Sequence, residues 1–204
     1  MMQVSRIWKK AQQFEKDWWG TCQNTFGEET KQFLYASKMR LKTFHDGKSP
    51  FNFDMKGKSV LDIGGGPVSL LLKCQNLGRG KVVDPCKFPR WVKSRYKAAG
   101  IEFEEKKGED IKEEGWDEVW IYNVLQHVED PKKVIENAKK AGRIIRIFEW
   151  VEISQSEGHL HTLTEEKLNE WLGGEGKTEV LKGQNTCFGK CYYGIFKGDS
   201  YEEL

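Results

Sequence analysis

The sequence predicts an α/β protein with a mostly parallel sheet flanked by helices. Three observations carry that prediction. From about residue 59 onward, apolar segments of strand length alternate with segments of helical period. One such segment, Val60-Leu61-Asp62-Ile63, runs directly into Gly64-Gly65-Gly66-Pro67-Val68-Ser69. Polar residues (Asp62 to Gly66, Asp84, Glu109-Asp110 and Asn123) fall at the ends of successive strand segments, where open α/β sheets bind ligands.

The elements follow in order. Residues 4–20 place Val4, Ile7, Trp8, Ala11, Phe14 and Trp18 at helical spacing among Lys and Gln, and 28–44 repeat the pattern with Phe33, Leu34, Tyr35, Met39 and Leu41. A polar turn at 20–27 separates them, and 45–50 form a loop toward the sheet. After the first strand and the glycines, Leu70-Leu71-Leu72-Lys73 reads as the opening of a buried helix. Lys81-Val82-Val83-Asp84 is the second strand, 87–99 a helix, and Ile101-Glu102-Phe103-Glu104 an alternating strand. The segment 116–123 is the fourth strand, with His127 placed in the first turn of a following helix. Asp130-Pro131 opens a further helix, because proline at the first turn loses no hydrogen bond. Residues 143–151 form a fifth strand, and Thr164 caps a helix rich in early acids. Thr178 to Lys182 and Cys191 to Lys197 are the last strands, with no helix between them.

At 204 residues the chain suits one large domain, 51–204, preceded by a helical cap or lid over 1–50. A domain of that size buries roughly 70% of its extended surface and holds together without disulfides or metal. The formal charge of +2 is too balanced to imply nucleic acid or an anionic membrane. No apolar run approaches the length of a membrane span, and the charged first 20 residues do not read as a signal peptide. Five scattered cysteines indicate reduced thiols and a cytoplasmic setting. Cys187 and Cys191 lack a second ligand pair, so no metal site is expected.

The glycine loop carries the chemistry. Three adjacent glycines let backbone approach a ligand closely. No Gly-Lys-Ser/Thr follows, which excludes a P-loop, and Ser69 stands where a dinucleotide fingerprint has its third glycine. Asp62 would repel a pyrophosphate and suits a cationic or hydroxyl-rich ligand. These residues resemble the class I S-adenosylmethionine (SAM)-dependent methyltransferases, in the small-molecule, type 11/12-like branch, whose first motif is Asp-x-Gly-x-Gly-x-Gly; Val68 replaces its last glycine. Asp84-Pro85, Gly108-Glu109-Asp110 and the run from Trp116 to Pro131 resemble the later motifs of that family in order.

The resemblance implies a Rossmann-like, seven-stranded sheet with an antiparallel last strand, and SAM as cofactor. Asp84 and Pro85 would serve the ribose, Glu109 or Asp110 the adenine edge, and Gly64, Gly65 and Gly66 the methionyl tail. Asp62 would orient that tail directly or through water, and Asn123 and Val124 are further cofactor-binding candidates. It implies a methyl transfer to a small-molecule acceptor, with oxygen favoured. An oxygen acceptor of high pKa needs a base, which suits His159 or His161, with His127 a further candidate. The two alternating histidines would share a face of an extended segment; they could equally cap the next helix or ligate a divalent ion. Trp18, Trp19, Asn24 and Phe26 are the candidate acceptor contacts, whereas Trp8 and Phe14 read as core. The basic, aromatic stretch 87–97 leaves open an RNA or nucleotide methyltransferase, although the acidic segment 102–118 counters it. A non-catalytic SAM-binding partner subunit is the remaining alternative.

Overall fold

The computed structural model describes residues 2–20, 25–44 and 52–201. Cys22, Asn24 and the 45–50 loop lie outside the described residues. Two helices come first, α1 (Met2–Trp19) and α2 (Thr25–Lys38). Short strands β1 (Thr43–Phe44) and β2 (Asn52–Asp54) precede β3 (Ser59–Ile63), and β4 (Cys74–Gln75) precedes β5 (Arg79–Val83). Then come α3 (Arg90–Ala98), β6 (Ile101–Glu104), β7 (Trp116–Tyr122), α4 (Pro131–Ala141), β8 (Gly142–Trp150), α5 (Glu165–Leu172), β9 (Lys177–Lys182) and β10 (Phe188–Lys197).

The main sheet has the order β6-β5-β3-β7-β8-β10-β9, and β1-β2-β4 form a small second sheet. Pairings among β6, β5, β3, β7 and β8 are parallel, while β10 runs antiparallel to both β8 and β9. The chain builds outward from β3 to β6, then returns to lay β7 on the other side of β3. That reversal opens a crevice beyond the carboxyl ends of the strands.

Alternation along the strands divides the core into two layers. Val60, Val82, Trp120, Tyr122 and Phe148 face α2 and α3, where Tyr35, Met39, Val92 and Tyr96 are buried. Leu61, Ile63, Val83, Val119, Ile121, Ile145 and Ile147 face α4 and α5. Helix α2 is therefore built into the core, with Tyr35 stacked on Phe148 at 4.2 Å between ring centroids. A buried carboxylate, Glu118, lies within the first layer. It accepts from Arg146 Nε (2.6 Å) and Nη2 (3.0 Å), Lys58 Nζ (2.6 Å) and Trp120 Nε1 (2.9 Å). Arg146 also donates to the Met39 carbonyl, tying the end of α2 to the sheet.

Three boundaries differ from the sequence reading. The run after the glycines forms no α-helix but two 3-10 turns, Gly66–Val68 and Leu70–Lys73. Ser69 interrupts them in an extended conformation (φ −49°, ψ 147°), held by its N–H to the Tyr96 hydroxyl and its Oγ to Asp62. His127 sits in a turn ahead of α4, not in a helix. Helix α2 spans Thr25–Lys38, with Arg40 at φ 57° just beyond its end. The caps at Asp130 and Thr164 form as expected, each accepting from the backbone N–H three residues on.

Candidate active site

Each strand end contributes one wall of a single cavity of about 520 Å³. Gly64 and Gly66 follow β3 with φ of +73° and +60°. A Cβ on Gly64 would lie 2.5 Å from Val124 Cγ2, so only glycine lets the two loops meet. The Gly64 N–H donates to the Val83 carbonyl (2.7 Å), and the Tyr96 hydroxyl donates to the Gly66 carbonyl (2.7 Å). Gly65 is not part of the cavity lining; a Cβ there would strike the Asp62 carboxylate at 2.5 Å.

Asp62 is fully buried behind the loop and does not line the cavity. Its Oδ2 accepts from Ser69 Oγ and from the Tyr122 hydroxyl (2.6 Å), while its buried Oδ1 has no partner. Burial outweighs those two donors and pushes its pKa to about 7. Asp84, after β5, is buried and does line the cavity. Its Oδ1 accepts from the Cys86 N–H (2.8 Å) and its Oδ2 from the Gly66 N–H (3.1 Å). Burial raises its pKa to about 6 against those bonds. A carboxylate offers about four lone-pair sites, so acceptor capacity remains.

After β6, Lys107, Gly108 and Glu109 line the cavity, and Pro85 lies beside them. Glu109 Oε1 accepts from the N–H groups of Glu129 (2.8 Å) and Asp130 (3.1 Å), and Asn137 holds the Gly108 and Glu109 carbonyls. Asp110 is exposed and outside the lining. After β7, Asn123 takes φ +57°, and the Val124 and Leu125 N–H groups converge on Glu149 Oε1 (3.0 and 3.1 Å). Glu149 is buried, and burial raises its pKa to about 7.

The histidines separate. His127 and His159 line the cavity with their rings 5.0 Å apart, edge to face. His161 is not in the lining; its Nε2 lies 2.9 Å from the Val128 carbonyl. The 156–161 loop turns between the two, because the Leu160 N–H donates to the Gln126 carbonyl at 2.7 Å. His127 Nδ1 lies 2.7 Å from the Gly158 carbonyl and 3.1 Å from Glu15 Oε1 on α1. Burial disfavours its charge, but Glu15 and the Gly158 carbonyl prevail and raise its pKa. His159 shifts the other way, through burial and the neighbouring His127.

Helix α1 forms the facing wall. Trp8, Gln12, Glu15 and Trp19 recur at helical spacing and all line the cavity. Lys107 Nζ sits 3.7 Å from the centre of the Trp8 ring. Trp18 and Phe14 also line it, so Trp8 and Phe14 border the cavity and are not plain core. Phe26 is 82% exposed and outside the lining. Glu15, Gln12, Trp150 and Glu149 were not singled out from sequence; polar Gln12 and Glu15 within an aromatic helical stripe were the available signal for α1.

No protein-family model matches the chain, and no curated protein matches it in sequence. Solved structures do match in fold. A chain from the complex between the Haloferax volcanii Trm112 methyltransferase activator and the putative methyltransferase superposes with a TM-score of 0.63 at 13% identity, covering 93% of this chain and 98% of that one. Magnesium protoporphyrin IX methyltransferase (ChlM) from Synechocystis PCC 6803 with bound SAH gives 0.57 at 12% identity, over 85% of this chain and 84% of that one. N-methyltransferase NodS from Bradyrhizobium japonicum WM9, in complex with S-adenosyl-L-homocysteine, gives 0.54 at 14%, over 85% and 87%. The chain has the class I methyltransferase fold.

The residues gathered at the crevice beyond β3, β5, β6 and β7 would fit an adenosyl compound. A buried carboxylate with spare acceptor capacity, bare glycine backbone and apolar Ile63, Val83 and Val124 meet there. Carboxylates Asp84 and Glu15 also suit the sign of a sulfonium. Among the described residues no helix is long and apolar enough to cross a membrane.

Proposed function

We propose that this chain is a SAM-dependent methyltransferase that methylates an oxygen of a small-molecule acceptor. The observation that carries the reading is one cavity holding both the buried Asp84 carboxylate and the His127–His159 pair. Asp84 would hold the ribose hydroxyls, with Pro85 shaping the turn beneath them. The Lys107-Gly108-Glu109 segment would flank the adenine, and Gly64 and Gly66 backbone would face the methionyl tail. Asp62 acts on that tail only through the loop it braces, together with Gly65. Asn123 and Val124 complete the floor. When bound, the cofactor supplies an electrophilic methyl group.

His159 is the base in this reading. Its lowered pKa keeps the ring neutral near pH 7, ready to take the acceptor's hydroxyl proton. His127, fixed by Gly158 and Glu15, orients it, and His161 braces the loop from outside. Helix α1 excludes water from the reacting groups. A nucleic-acid acceptor is disfavoured because the basic stretch is partly countered by carboxylates: Lys93 pairs with Glu105, and Arg95 with Glu29.

Calorimetric titration with SAM and its demethylated product, followed by a tritium-methyl screen of small acceptors, tests the reading. Binding of both and label transfer that falls on His159→Ala are expected. Failure to bind either compound overturns it. Binding without turnover, unchanged by His159→Ala, would instead favour the non-catalytic subunit, and salt-sensitive RNA binding the nucleic-acid alternative.

A further inference from the structure

We infer that the half of the cavity away from the glycine loop is a subsite for a flat aromatic hydroxyl compound, which deepens the proposed function and rests on it. The wall of this half is apolar and largely aromatic. Phe14 and Trp18 of α1 stack at 6.4 Å between centroids with 14° between planes, yet remain 39% and 48% exposed. Phe188, at the start of β10, is 73% exposed and also lines the cavity, and Trp150 reaches it from the end of β8. Large apolar side chains left open around one concavity mark a ligand surface, not a solvated one.

Several polar groups that line the cavity already have partners: Thr186 Oγ1 donates to the Asn185 carbonyl (2.6 Å) and Gln126 Nε2 to Asn123 Oδ1 (2.9 Å). Glu28 and Lys31 form an ion pair at 2.7 Å and Glu15 lies 3.1 Å from His127, so the charged groups here are already partnered and offer little to an anionic or cationic acceptor. His159 lines the same cavity as the apolar wall and is the proton acceptor beside it, since its neighbour Gly158 packs on the Phe14 ring. A sugar carries a hydroxyl on nearly every carbon and would leave most of them unpaired here, at a cost for each. A fused aromatic ring with one hydroxyl matches the wall: faces for the rings, one polar atom for His159. The Phe14 ring is held by packing on Gly158, where an added Cβ would lie 2.7 Å away, so the aromatic wall and the histidine loop keep a fixed spacing.

The test titrates 2-naphthol, cyclohexanol and glucose into the full chain saturated with S-adenosylhomocysteine. We expect 2-naphthol to bind at least about tenfold more tightly than glucose and several-fold more tightly than cyclohexanol. Phe188→Ala and Trp18→Ala should each weaken 2-naphthol by about threefold to tenfold and leave S-adenosylhomocysteine affinity unchanged. Phe188 is exposed enough to truncate without unfolding the chain, and Trp18→Phe should restore most of the loss. Equal binding of glucose and 2-naphthol, or 2-naphthol affinity unmoved by both truncations, overturns the subsite. Loss of S-adenosylhomocysteine binding in the unmodified chain would instead sink the functional reading beneath it.

Discussion

The two walls of the cavity are built on opposite principles. The strand-end wall is backbone and buried carboxylate: Gly64, Gly66, Asp84 and Val124 are each positioned by hydrogen bonds or contacts within the sheet tips. The α1 wall is side chain and half-exposed. Its polar ties to the rest of the molecule include Glu15 to His127, Gln12 to the Cys86 thiol (3.5 Å) and Trp8 under Lys107. The first wall can change little without unfolding something. The second can exchange residues singly, which is how one fold serves many acceptors.

The largest test asks whether the strand side really is structural capital. Glu118→Gln leaves Arg146 and Lys58 facing a neutral amide inside the sheet's core layer. Removing one partner of a buried pair costs about 3–5 kcal/mol. For a chain of this size, Tm should fall on the order of 10 °C, read by differential scanning calorimetry. Arg146 and Lys58 outweigh burial and hold the Glu118 pKa near 2, below its ordinary value of 4.5. Its stabilising contribution is therefore complete above about pH 4.5 and disappears as pH falls toward about 2. The variant should lose that acid dependence. An equally large fall on truncating Trp18 would erase the contrast between the walls.

Asp84→Asn should separate function from stability. Hydrogen bonds to a charged acceptor are worth about 1.5–3 kcal/mol each, so losing the charge should weaken SAM by roughly 100-fold. In the unliganded protein, Asp84→Asn should remove the part of the pH dependence of Tm that this carboxylate contributes. The sign follows from the raised pKa of about 6: the folded state holds the proton more tightly than the unfolded chain. Stability from this group is then present at low pH and lost as pH rises through about 4 to 6. Asp62 and Glu149, both raised to about 7 by burial, add to the same slope up to neutrality. Thermal scans in which Asp84→Asn keeps the unmodified chain's slope between about pH 4 and pH 6 would contradict this account.

What the sequence disclosed divides along the same line. The meeting of Asp84 and Asn123 at one cavity was legible because a strand's period and its polar tip are local signals, and parallel strands bring their tips together. The 3-10 path after Gly66 was not. Leu70 to Leu72 satisfy a helical pattern, and nothing local reveals that Asp62 and Tyr96 hold Ser69 extended. Glu149 was illegible for a related reason: its partners Val124 and Leu125 belong to a neighbouring strand's loop. His159 and His161 looked equivalent by alternation, but hydrogen bonds to Gln126 curl the loop and send only His159 to the cavity.

On the α1 wall, Glu15→Gln should act on titration more than on folding. Glu15 raises the His127 pKa against burial, so the pair is strongest below about pH 6.5 and fades as pH rises through the raised value. Removing the charge should lower the His127 pKa, followed through its ring-proton NMR shift. Since Glu15 is partly exposed, the loss in kcat/KM should be only about threefold. A pKa that does not move would show that Gly158 alone fixes His127.

Trp8→Leu should be the mildest change, and it reports on a different end of the same helix. Leucine preserves apolar contact but removes the π face beneath Lys107. Lys107 keeps its second partner, the Glu129 carboxylate at 2.6 Å, so the lysine stays in place. What is lost is the tie between α1 and the strand-end wall, a cation–π contact worth about 0.5–1 kcal/mol at a partly exposed site. SAM affinity should fall by about twofold to fourfold, with acceptor binding unchanged. A drop as large as that of Asp84→Asn would mean that α1 grips the cofactor directly, and the two walls would then share one task.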